Sequence, residues 1–418
     1  MPLFHHRVPD HVRHAAGPGA KDFAILGATE AFPRGLLSTV LPIAMYRVLL
    51  DAAVVSEVYF ALGLMSFLAT LLCPVVARKV PRRWLYTGGV LILGGGSALV
   101  GIGLSDMGFG GLFRPGVLVP VGLAGTMVGT VVVAVCFNAY VMDFVERHSL
   151  GRSETLRLFY SAACWTLGPL VSVALLKLWA PAPFFVAAVA SLVLLGVFWR
   201  LRLGNGKAIQ RAKRRAMNPL SYLSRFAHQP RLVVGWIFAV IRSVAWWAYY
   251  VYMPILVIES GYDEMVSGIA IAGSNALLFS TPLMLKWMYR HSVRFAIVCG
   301  FLGSAVFFTA ATVLLGQSWV AVGSLFVGTA FLILLDVSAG LPFLMAVRPS
   351  ERTEMSAVYS TFRDVSGIIA PAFAWLVLLV APVSAVFAAT GASLMICGWL
   401  GSRLHPRLGE RRGLPVPS

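Results

Sequence analysis

The chain has 418 residues, of which 58% are hydrophobic and 12% are charged, and its mean hydropathy is +0.81. This composition excludes a soluble globular domain and indicates an all-α protein that crosses a membrane many times. The net charge of +17 would favour nucleic-acid binding in a soluble protein, but here we interpret the basic residues as loop charges that set topology and face anionic lipid.

Apolar segments long enough to cross about 30 Å of hydrocarbon predict twelve transmembrane helices. In chain order they cover 22–47, 54–77, 84–104, 117–143, 155–177, 183–199, 232–256, 265–286, 295–315, 319–346, 355–379 and 384–401. The resulting division of the chain is a tail (1–21), a six-helix bundle (22–203), a basic linker (204–231), a second six-helix bundle (232–403) and a second tail (404–418).

The even number of spans places both termini on one side of the membrane. Most lysines and arginines lie in the tails and loops of that side, and the opposite loops hold only Arg47, Arg114 and Lys177. The positive-inside rule therefore predicts that both termini are cytoplasmic.

Several classes of site are disfavoured by residue placement. All eight histidines lie in tails and loops, and the five cysteines lie singly in five spans. Neither pattern is typical of a metal site, a disulfide framework or acid–base catalysis inside the membrane. The sequence also lacks the glycine-rich lysine motif of ATP-binding loops. We therefore expect no enzymatic activity and no cofactor.

The second half of the chain repeats the first at an offset near 200 residues. The matched segments are Arg152-Ser153-Glu154 with Arg352-Thr353-Glu354, Gly168-Pro169 with Ala370-Pro371, and Ala180-Pro181 with Ala381-Pro382. The repeat predicts two related six-helix bundles, a design that places a binding site between the halves near the membrane midplane.

Twelve spans in two related halves, with a basic central linker, resemble the major facilitator superfamily of secondary transporters over nearly the whole chain. The superfamily's motif after span two is similar to Arg78-Lys79-Val80-Pro81-Arg82-Arg83, which keeps the basic residues and lacks the motif's aspartate and glycine. Gly168-Pro169 in span five is similar to part of the superfamily's antiporter motif. The resemblance implies that two bundles rock about a central cavity and that spans three, six, nine and twelve face lipid.

The same resemblance implies gating residues at the cytoplasmic end. Arg78 or Arg82 would contact Asp143 at the end of span four, although ordinary topogenic charge also explains these arginines. Gly168 and Pro169 would form a hinge, because a proline inside a span frees a carbonyl and permits bending. A static kink is the alternative.

Six ionisable side chains lie deep in apolar spans, where a charge costs at least about 2.5–3.5 kcal/mol and therefore usually serves function. They are Glu30, Arg34, Arg242, Asp336, Arg363 and Asp364. All six belong to spans one, seven, ten and eleven, and spans three, six, nine and twelve hold no charged residue. This division agrees with a cavity lined by the first group.

Glu30 and Arg34 are neighbours on one helical face, so they either neutralise each other or serve substrate or proton. Glu30 and Arg242 occupy matching positions in the two halves, which predicts a contact between bundles that breaks during transport, with a static structural contact as the alternative. Arg363 and Asp364 are consecutive and point about 100° apart. One of them is expected to face the cavity and the other a neighbouring helix.

Glu30, Asp336 and Asp364 are the proton-coupling candidates, because a carboxyl group inside a span can bind and release a proton. For Asp336, a fixed salt bridge to Arg242 or Arg363 is the alternative.

The substrate-binding candidates are Arg34, Arg242, Arg363, Trp246, Tyr250, Asn138 and Asn275. Arginine stays charged at physiological pH, so an arginine left without a carboxylate would favour an anionic substrate. Complete internal pairing around a cavity for neutral molecules is the alternative. The two aromatic residues fit either cavity lining or the interfacial aromatic belt, and the two amides fit either substrate contact or interhelical hydrogen bonding.

The sequence therefore predicts a secondary transporter for a small organic solute, with an anion favoured, proton coupling, and export favoured by the partial Gly-Pro motif. We expect a monomer in the cell inner membrane, in contact with lipid and without nucleic acid. The alternatives are a proton-coupled uptake symporter and a transport-inactive scaffold or assembly factor.

Overall fold

The computed structural model describes residues 20–77, 79–105, 114–144, 150–201, 226–313, 318–347, 355 and 358–404, and these ranges contain helices and no strand. The predicted tails and most of the basic linker lie outside the described residues. The first half contains α1 (Ala20–Leu49), α2 (Ala52–Val76), α3 (Arg82–Leu104), α4 (Pro115–Phe144), α5 (Leu150–Leu178) and α6 (Ala182–Arg200). The second half contains α7 (Pro230–Glu259), α8 (Met265–His291), α9 (Val293–Val313), α10 (Ser318–Ser338), α11 (Phe362–Leu378) and α12 (Val383–Ser402). The predicted all-α fold is confirmed.

Eleven helices in the described ranges are long and apolar enough to cross a membrane. The remaining one, α1, has 30 residues and is long enough to cross, but Glu30 and Arg34 lower its hydropathy. The one long helix of the described ranges that hydropathy does not identify as a membrane span is therefore the helix that carries two of the deep charges.

Two predicted spans are interrupted. In α8, a 3-10 turn (Leu277–Ser280) separates the segments Met265–Ala276 and Thr281–His291. After α10, a short helix (Leu341–Ala346) replaces the predicted continuation to residue 346. Both breaks precede a proline, Pro282 or Pro342, whose ring conflicts with the carbonyl four residues earlier and whose nitrogen donates no hydrogen bond.

The packing of the helices repeats in the two halves. In the first half, α3 packs on α4 and α6, and α1 packs on α5; in the second, α9 packs on α10 and α12, and α7 packs on α11. The main partners of α3, α6, α9 and α12 all lie within their own half. The halves meet through α2 with α11, α5 with α8, and α1 with α7.

Glycines allow close backbone approach where the halves meet. A Cβ atom added to Gly63 of α2 would collide with the carbonyl oxygen of Gly367 on α11. In the matching pair, a Cβ atom on Gly268 of α8 would lie 3.2 Å from the carbonyl oxygen of Pro169 on α5. Small residues at such crossings let the helix backbones touch, which is a common way for membrane helices to pack.

The two ends of the molecule are distinguished by their connections. We call the end that carries the start of α1, the end of α6, the start of α7 and the end of α12 the tail end. The opposite end, where α1 joins α2, α5 joins α6 and α7 joins α8, is called the far end.

Candidate functional site

A central cavity of about 800 Å³ lies between the halves, within the range typical of sites for drug-sized molecules. Its wall is built by α1, α2, α4 and α5 from one half and by α7, α8 and α11 from the other. The aromatic side chains of the wall are Tyr59, Trp165, Trp246, Trp247 and Tyr250. The basic ones are Arg34 and Arg363, and no aspartate or glutamate of the described residues lines the cavity.

Glu30 and Arg34 form an ion pair on α1. The Arg34 Nη1 atom lies 3.2 Å from Glu30 Oε1, as their separation of one helical turn allows. Glu30 is buried, whereas the side chain of Arg34 is 35% exposed and reaches the cavity, with its guanidinium 5.5 Å from the ring centroid of Trp165. Arg34 therefore presents a guanidinium to the cavity, and the buried carboxylate of Glu30 is its counter-ion.

Arg242 and Asp336 form the second deep ion pair, between α7 and α10. The Arg242 Nε atom lies 3.0 Å from Asp336 Oδ1, and its Nη1 atom donates to the carbonyl of Leu335 at 3.4 Å. The other carboxylate oxygen of Asp336 accepts a hydrogen bond from Trp246 Nε1 at 3.1 Å. Asp336 is thus joined to the cavity wall through Trp246.

The expected contact between Glu30 and Arg242 is not formed in this conformation. Glu30 contacts Arg34 on the same helix, and Arg242 contacts Asp336 within its own half. Matching positions in a repeat place two residues at the same depth in the membrane. They do not determine the rotation of each helix about its axis, and therefore not the direction in which each side chain points. The deep ion pairs therefore stabilise each half internally, and other contacts connect the halves.

Arg363 and Asp364 point in different directions, as their spacing predicts. Arg363 lines the cavity, and its guanidinium lies 5.6 Å from the ring centroid of Phe362. Asp364 instead faces α2, where its Oδ1 atom accepts a hydrogen bond from Thr70 Oγ1 at 3.3 Å. Within the described part of the chain, no carboxylate forms an ion pair with Arg363, so it supplies the unbalanced positive charge of the cavity wall.

A hydrogen-bonded link crosses between the halves at the cavity. The hydroxyl of Tyr250 donates to Asn275 Oδ1 at 2.6 Å, and Asn275 Nδ2 donates to the carbonyl of Trp165 at 2.7 Å. The rings of Trp246 and Tyr250 lie 5.6 Å apart, and both line the cavity. Asn275 therefore combines the two roles that the sequence left open, since it lines the cavity and bonds to a neighbouring helix.

Two of the substrate-binding candidates do not line the cavity. Arg242 lies behind the wall, because its side chain is 11% exposed and turns toward Asp336. Asn138 is exposed, but it lies eight residues beyond the lining residue Thr130 on α4, about 12 Å further toward the tail end by the helical rise. In this conformation neither side chain lines the cavity, and a role of either one in substrate binding stays a prediction.

The expected tail-end lock lies partly outside the described residues, because Arg78 and the side chain of Asp143 are both outside them. Arg82 is described, and its guanidinium lies 5.4 Å from the ring centroid of Tyr140. The lock between these basic residues and Asp143 stays a prediction.

Gly168 and Pro169 lie where α5 crosses two other helices. A Cβ atom on Gly168 would lie 2.5 Å from the carbonyl carbon of Gly35 on α1, and the carbonyl of Pro169 faces Gly268 on α8. Pro169 has no N–H for the carbonyl of Trp165 one turn earlier, and that carbonyl accepts the hydrogen bond from Asn275 Nδ2 instead. The position fits a hinge, and the hinge role stays a prediction.

Four polar contacts join the halves at the far end. Two are ion pairs, Arg47 with Glu264 at 2.8 and 2.7 Å and Lys177 with Asp263 at 2.5 Å. The other two are hydrogen bonds from tyrosine hydroxyls, Tyr46 to Glu259 at 3.1 Å and Tyr252 to Ser56 at 2.9 Å. Sequence reasoning treated Arg47 and Lys177 only as loop charges on the minority side. Their pairing with acids of the other half joins the two halves at the far end.

The contact between Lys177 and Asp263 gives a pH prediction. The hydrogen bond from Lys177 lowers the pKa of Asp263 below its usual value, so the contact stabilises the closed far end at pH values above about 4. It is lost only as the pH falls through the still lower pKa of the closed form. We therefore expect Asp263→Asn to loosen the far end by the same factor at pH 7 and at pH 5.

The readout is the reactivity of Ser56→Cys with a membrane-impermeant thiol reagent, in a background without the native cysteines. Leu178→Cys, at an exposed far-end position, corrects for the pH dependence of the reagent. An effect of Asp263→Asn that disappears at pH 5 would show that Asp263 is already protonated there.

Sequence reasoning missed several side chains near the site. Arg157 of α5 packs its aliphatic stem on Gly27, with Cγ 2.7 Å from where a Cβ atom would lie, and its charge acts on Glu30. Its position near the start of a predicted span made it resemble an edge residue. Tyr59 and Trp165 carried no signal, because an aromatic residue in an apolar helix is equally typical of the core. Trp247 belongs to the aromatic run of span seven, from which the sequence favoured Trp246 and Tyr250 as cavity lining.

The overall architecture is similar to several solved transporter structures. The nucleoside transporter NupG matches with a TM-score of 0.68 at 14% identity, covering 91% of this chain and 98% of that one. A POT family transporter in complex with 5-aminolevulinic acid matches with a TM-score of 0.71 at 10% identity over 94% and 96% of the two chains. A D-xylose-proton symporter matches with a TM-score of 0.66 at 12% identity over 93% and 98%. At these identities the likeness concerns the fold alone.

Two related six-helix halves around a central cavity, closed at one end by contacts between them, define a secondary transporter. The sequence profile of the Major Facilitator Superfamily matches residues 23–371, and the chain belongs to this family. A comparison with curated proteins found no matching sequence.

Proposed function

We propose that this transporter moves a small organic anion through the central cavity by alternating access, coupled to protons and in the direction of export. The observation that carries the proposal is Arg363, a guanidinium on the cavity wall without a carboxylate partner among the described residues. An arginine in a water-poor site binds carboxylate, phosphate or sulfonate through charge-assisted hydrogen bonds. Arg34 adds donors at the same cavity, and Glu30 balances its charge.

Proton coupling is supported by the two acids that lie next to the cavity without lining it. Glu30 contacts Arg34, and Asp336 contacts both Arg242 and the indole of Trp246. Protonation of Asp336 would weaken its bond to Arg242 and release Trp246, whose ring belongs to the cavity wall. Asp364, joined to Thr70 of the other half, is the third candidate, and its protonation would loosen a contact between the halves.

The proposed orientation is supported by the distribution of basic residues, and the proposed direction by the Gly168-Pro169 motif. The tail end carries most of the basic loops, so we infer that it faces the cytoplasm of a cell whose inner membrane holds the protein. The far end would then face outward and is closed in this conformation by the four polar contacts. Export is supported by Gly168 and Pro169 at the crossing of α5 with α1 and α8, the position of the antiporter-like motif.

A ligand screen on the purified protein tests the choice of substrate class. Organic anions, cations and neutral amphiphiles are compared by thermal unfolding at pH 5.5 and pH 7.5. We expect anions to raise the unfolding temperature, because they meet Arg363. Stabilisation by cations alone would contradict the proposal.

Proton coupling is tested with proteoliposomes that contain a stabilising anion and a pH-sensitive dye. An imposed pH gradient is expected to drive flux of the anion, and a Glu30→Gln/Asp336→Asn variant is expected to exchange the anion without responding to the gradient. Flux in the unmodified protein that is indifferent to the gradient would contradict proton coupling and would leave facilitated diffusion.

A further inference from the structure

Beside the cavity, α11 carries a cation and a glycine. Arg363 and Gly367 are four residues apart, so they lie on one side of the helix and about 6 Å apart along its axis. The guanidinium of Arg363 is exposed to the cavity. The carbonyl oxygen of Gly367 is the one that approaches Gly63 of α2, so the two halves meet at this point of the helix.

An aromatic ring lies near Gly367. A Cβ atom added to Gly367 would be in ordinary van der Waals contact with a ring carbon of Trp247 on α7, at 3.8 Å. The Trp247 ring meets the ring of Tyr59 on α2 at a centroid distance of 6.0 Å and an angle of 76°. Both rings line the cavity, and because Tyr59 is only 4% exposed, Trp247 supplies most of the accessible surface of this aromatic corner. The corner lies beside Gly367, one helical turn along α11 from Arg363.

The charge of the wall sets the number of negative groups that the ligand carries. Arg34 is balanced by Glu30 at 3.2 Å, Asp364 faces Thr70, and the described part of the wall contains no acid. Among the lining side chains of the described wall, Arg363 is thus the cation without a carboxylate at ion-pair distance, and the acid group of the ligand is assigned to it. A second anionic group would have to compete with Glu30 for Arg34 or be buried without a counter-ion, which is costly in a site of low dielectric.

We propose that the substrate is an aromatic monoanion, bound with its acid group on Arg363 and its ring in the corner formed by Tyr59 and Trp247. The proposal rests on the proposed transport of an organic anion and specifies the rest of the molecule. Aromatic rings in edge-to-face or offset contact gain about 0.5–1.5 kcal/mol beyond the burial of their area, and a saturated ring of the same size lacks this gain. Because Tyr59 and Trp247 belong to different halves, the bound ring contacts both.

Matched probes separate the ring from the charge. They are 2-naphthoate, its saturated counterpart decahydro-2-naphthoate, and the neutral 2-naphthamide, each titrated by thermal unfolding of the full-length protein in detergent. We expect 2-naphthoate to bind about three- to tenfold more tightly than the saturated acid, and the amide to bind more weakly than the naphthoate.

Variants of Trp247 test whether the preference for the aromatic acid over the saturated acid arises from the corner formed by Tyr59 and Trp247. Trp247→Leu is expected to abolish the preference for the aromatic acid and keep binding of the saturated acid, and Trp247→Phe is expected to retain the preference. Trp399→Leu replaces a tryptophan that is 54% exposed and outside the cavity lining, and it controls for loss of a tryptophan. Equal or tighter binding of the saturated acid, a preference that survives Trp247→Leu, or binding of neither acid would overturn the inference. In the first two outcomes the proposed anion transport stands; binding of cations alone removes both.

Discussion

Replacing Arg363 by glutamine is expected to weaken the binding of organic anions to the central cavity by about ten- to a hundredfold, the factor that corresponds to a hydrogen-bonded charge contact of about 1.5–3 kcal/mol. The physical reason is that Arg363 has no ion-pair partner in the described part of the chain. Its removal therefore takes away the cation that would bind the ligand and breaks no ion pair among the described residues. The measurement is the affinity for a stabilising anion, obtained by thermal unfolding or tryptophan fluorescence.

Two further variants test whether the anion affinity depends on the charge of Arg363 or on the planar shape of its guanidinium. Arg363→Lys keeps the charge and loses the planar fork of donors, so an intermediate affinity is expected. Arg403→Gln removes an arginine that stacks on Trp399 with a guanidinium-to-centroid distance of 4.0 Å, outside the cavity, and is expected to leave the affinity unchanged. Anion affinity that is equal in Arg363→Gln and in the unmodified protein would contradict the assigned site.

Replacing Asp336 by asparagine is expected to lower stability and to remove the response of transport to a pH gradient. Arg242 is 11% exposed and keeps its charge, so the substitution leaves a buried cation without a counter-ion. Breaking a buried pair in this way costs about 3–5 kcal/mol, and the 34% exposure of the Asp336 side chain places the expected loss near the lower end. The measurements are the unfolding temperature and gradient-driven flux in proteoliposomes.

The double variant Arg242→Gln/Asp336→Asn separates the two effects. Removal of both charges is expected to restore most of the stability, because no unpaired charge remains, and to leave transport indifferent to the gradient. A double variant that still couples to protons would assign the coupling to Glu30 or Asp364. A single Asp336→Asn variant as stable as the unmodified protein would show that the pair contributes nothing to folding.

The sequence determined the architecture because hydropathy, loop charge and the internal repeat all depend on residue type along one dimension. It also determined contacts within one helix, such as Glu30 with Arg34, and the divergence of Arg363 and Asp364. These follow from the helical period of 3.6 residues, which needs no knowledge of neighbouring helices.

Contacts between different helices could be identified only from the structure. Arg242 had two possible partners in the sequence, Glu30 and Asp336, and the rotation of α7 places it against Asp336 in this conformation. The same limit applies to Asn138, because the sequence does not tell how far the cavity extends along α4, and its role in substrate binding stays a prediction. Prolines show the same limit, because Pro282 and Pro342 follow breaks in α8 and after α10, whereas other prolines, such as Pro169 and Pro254, lie inside continuous helices.

The backbone contact between Gly63 and Gly367 divides α2 into two lengths. Eleven residues separate Gly63 from Ala52 at the far end and thirteen separate it from Val76 at the tail end, which gives about 17 and 20 Å at the helical rise. Because the helices touch there without intervening side chains, the contact is placed to act as the fulcrum of a lever with nearly equal arms. If the proposed alternating-access cycle tilts α2 against α11 about this contact, one end would widen by about as much as the other narrows, and opening both ends at once would require the two backbones to separate.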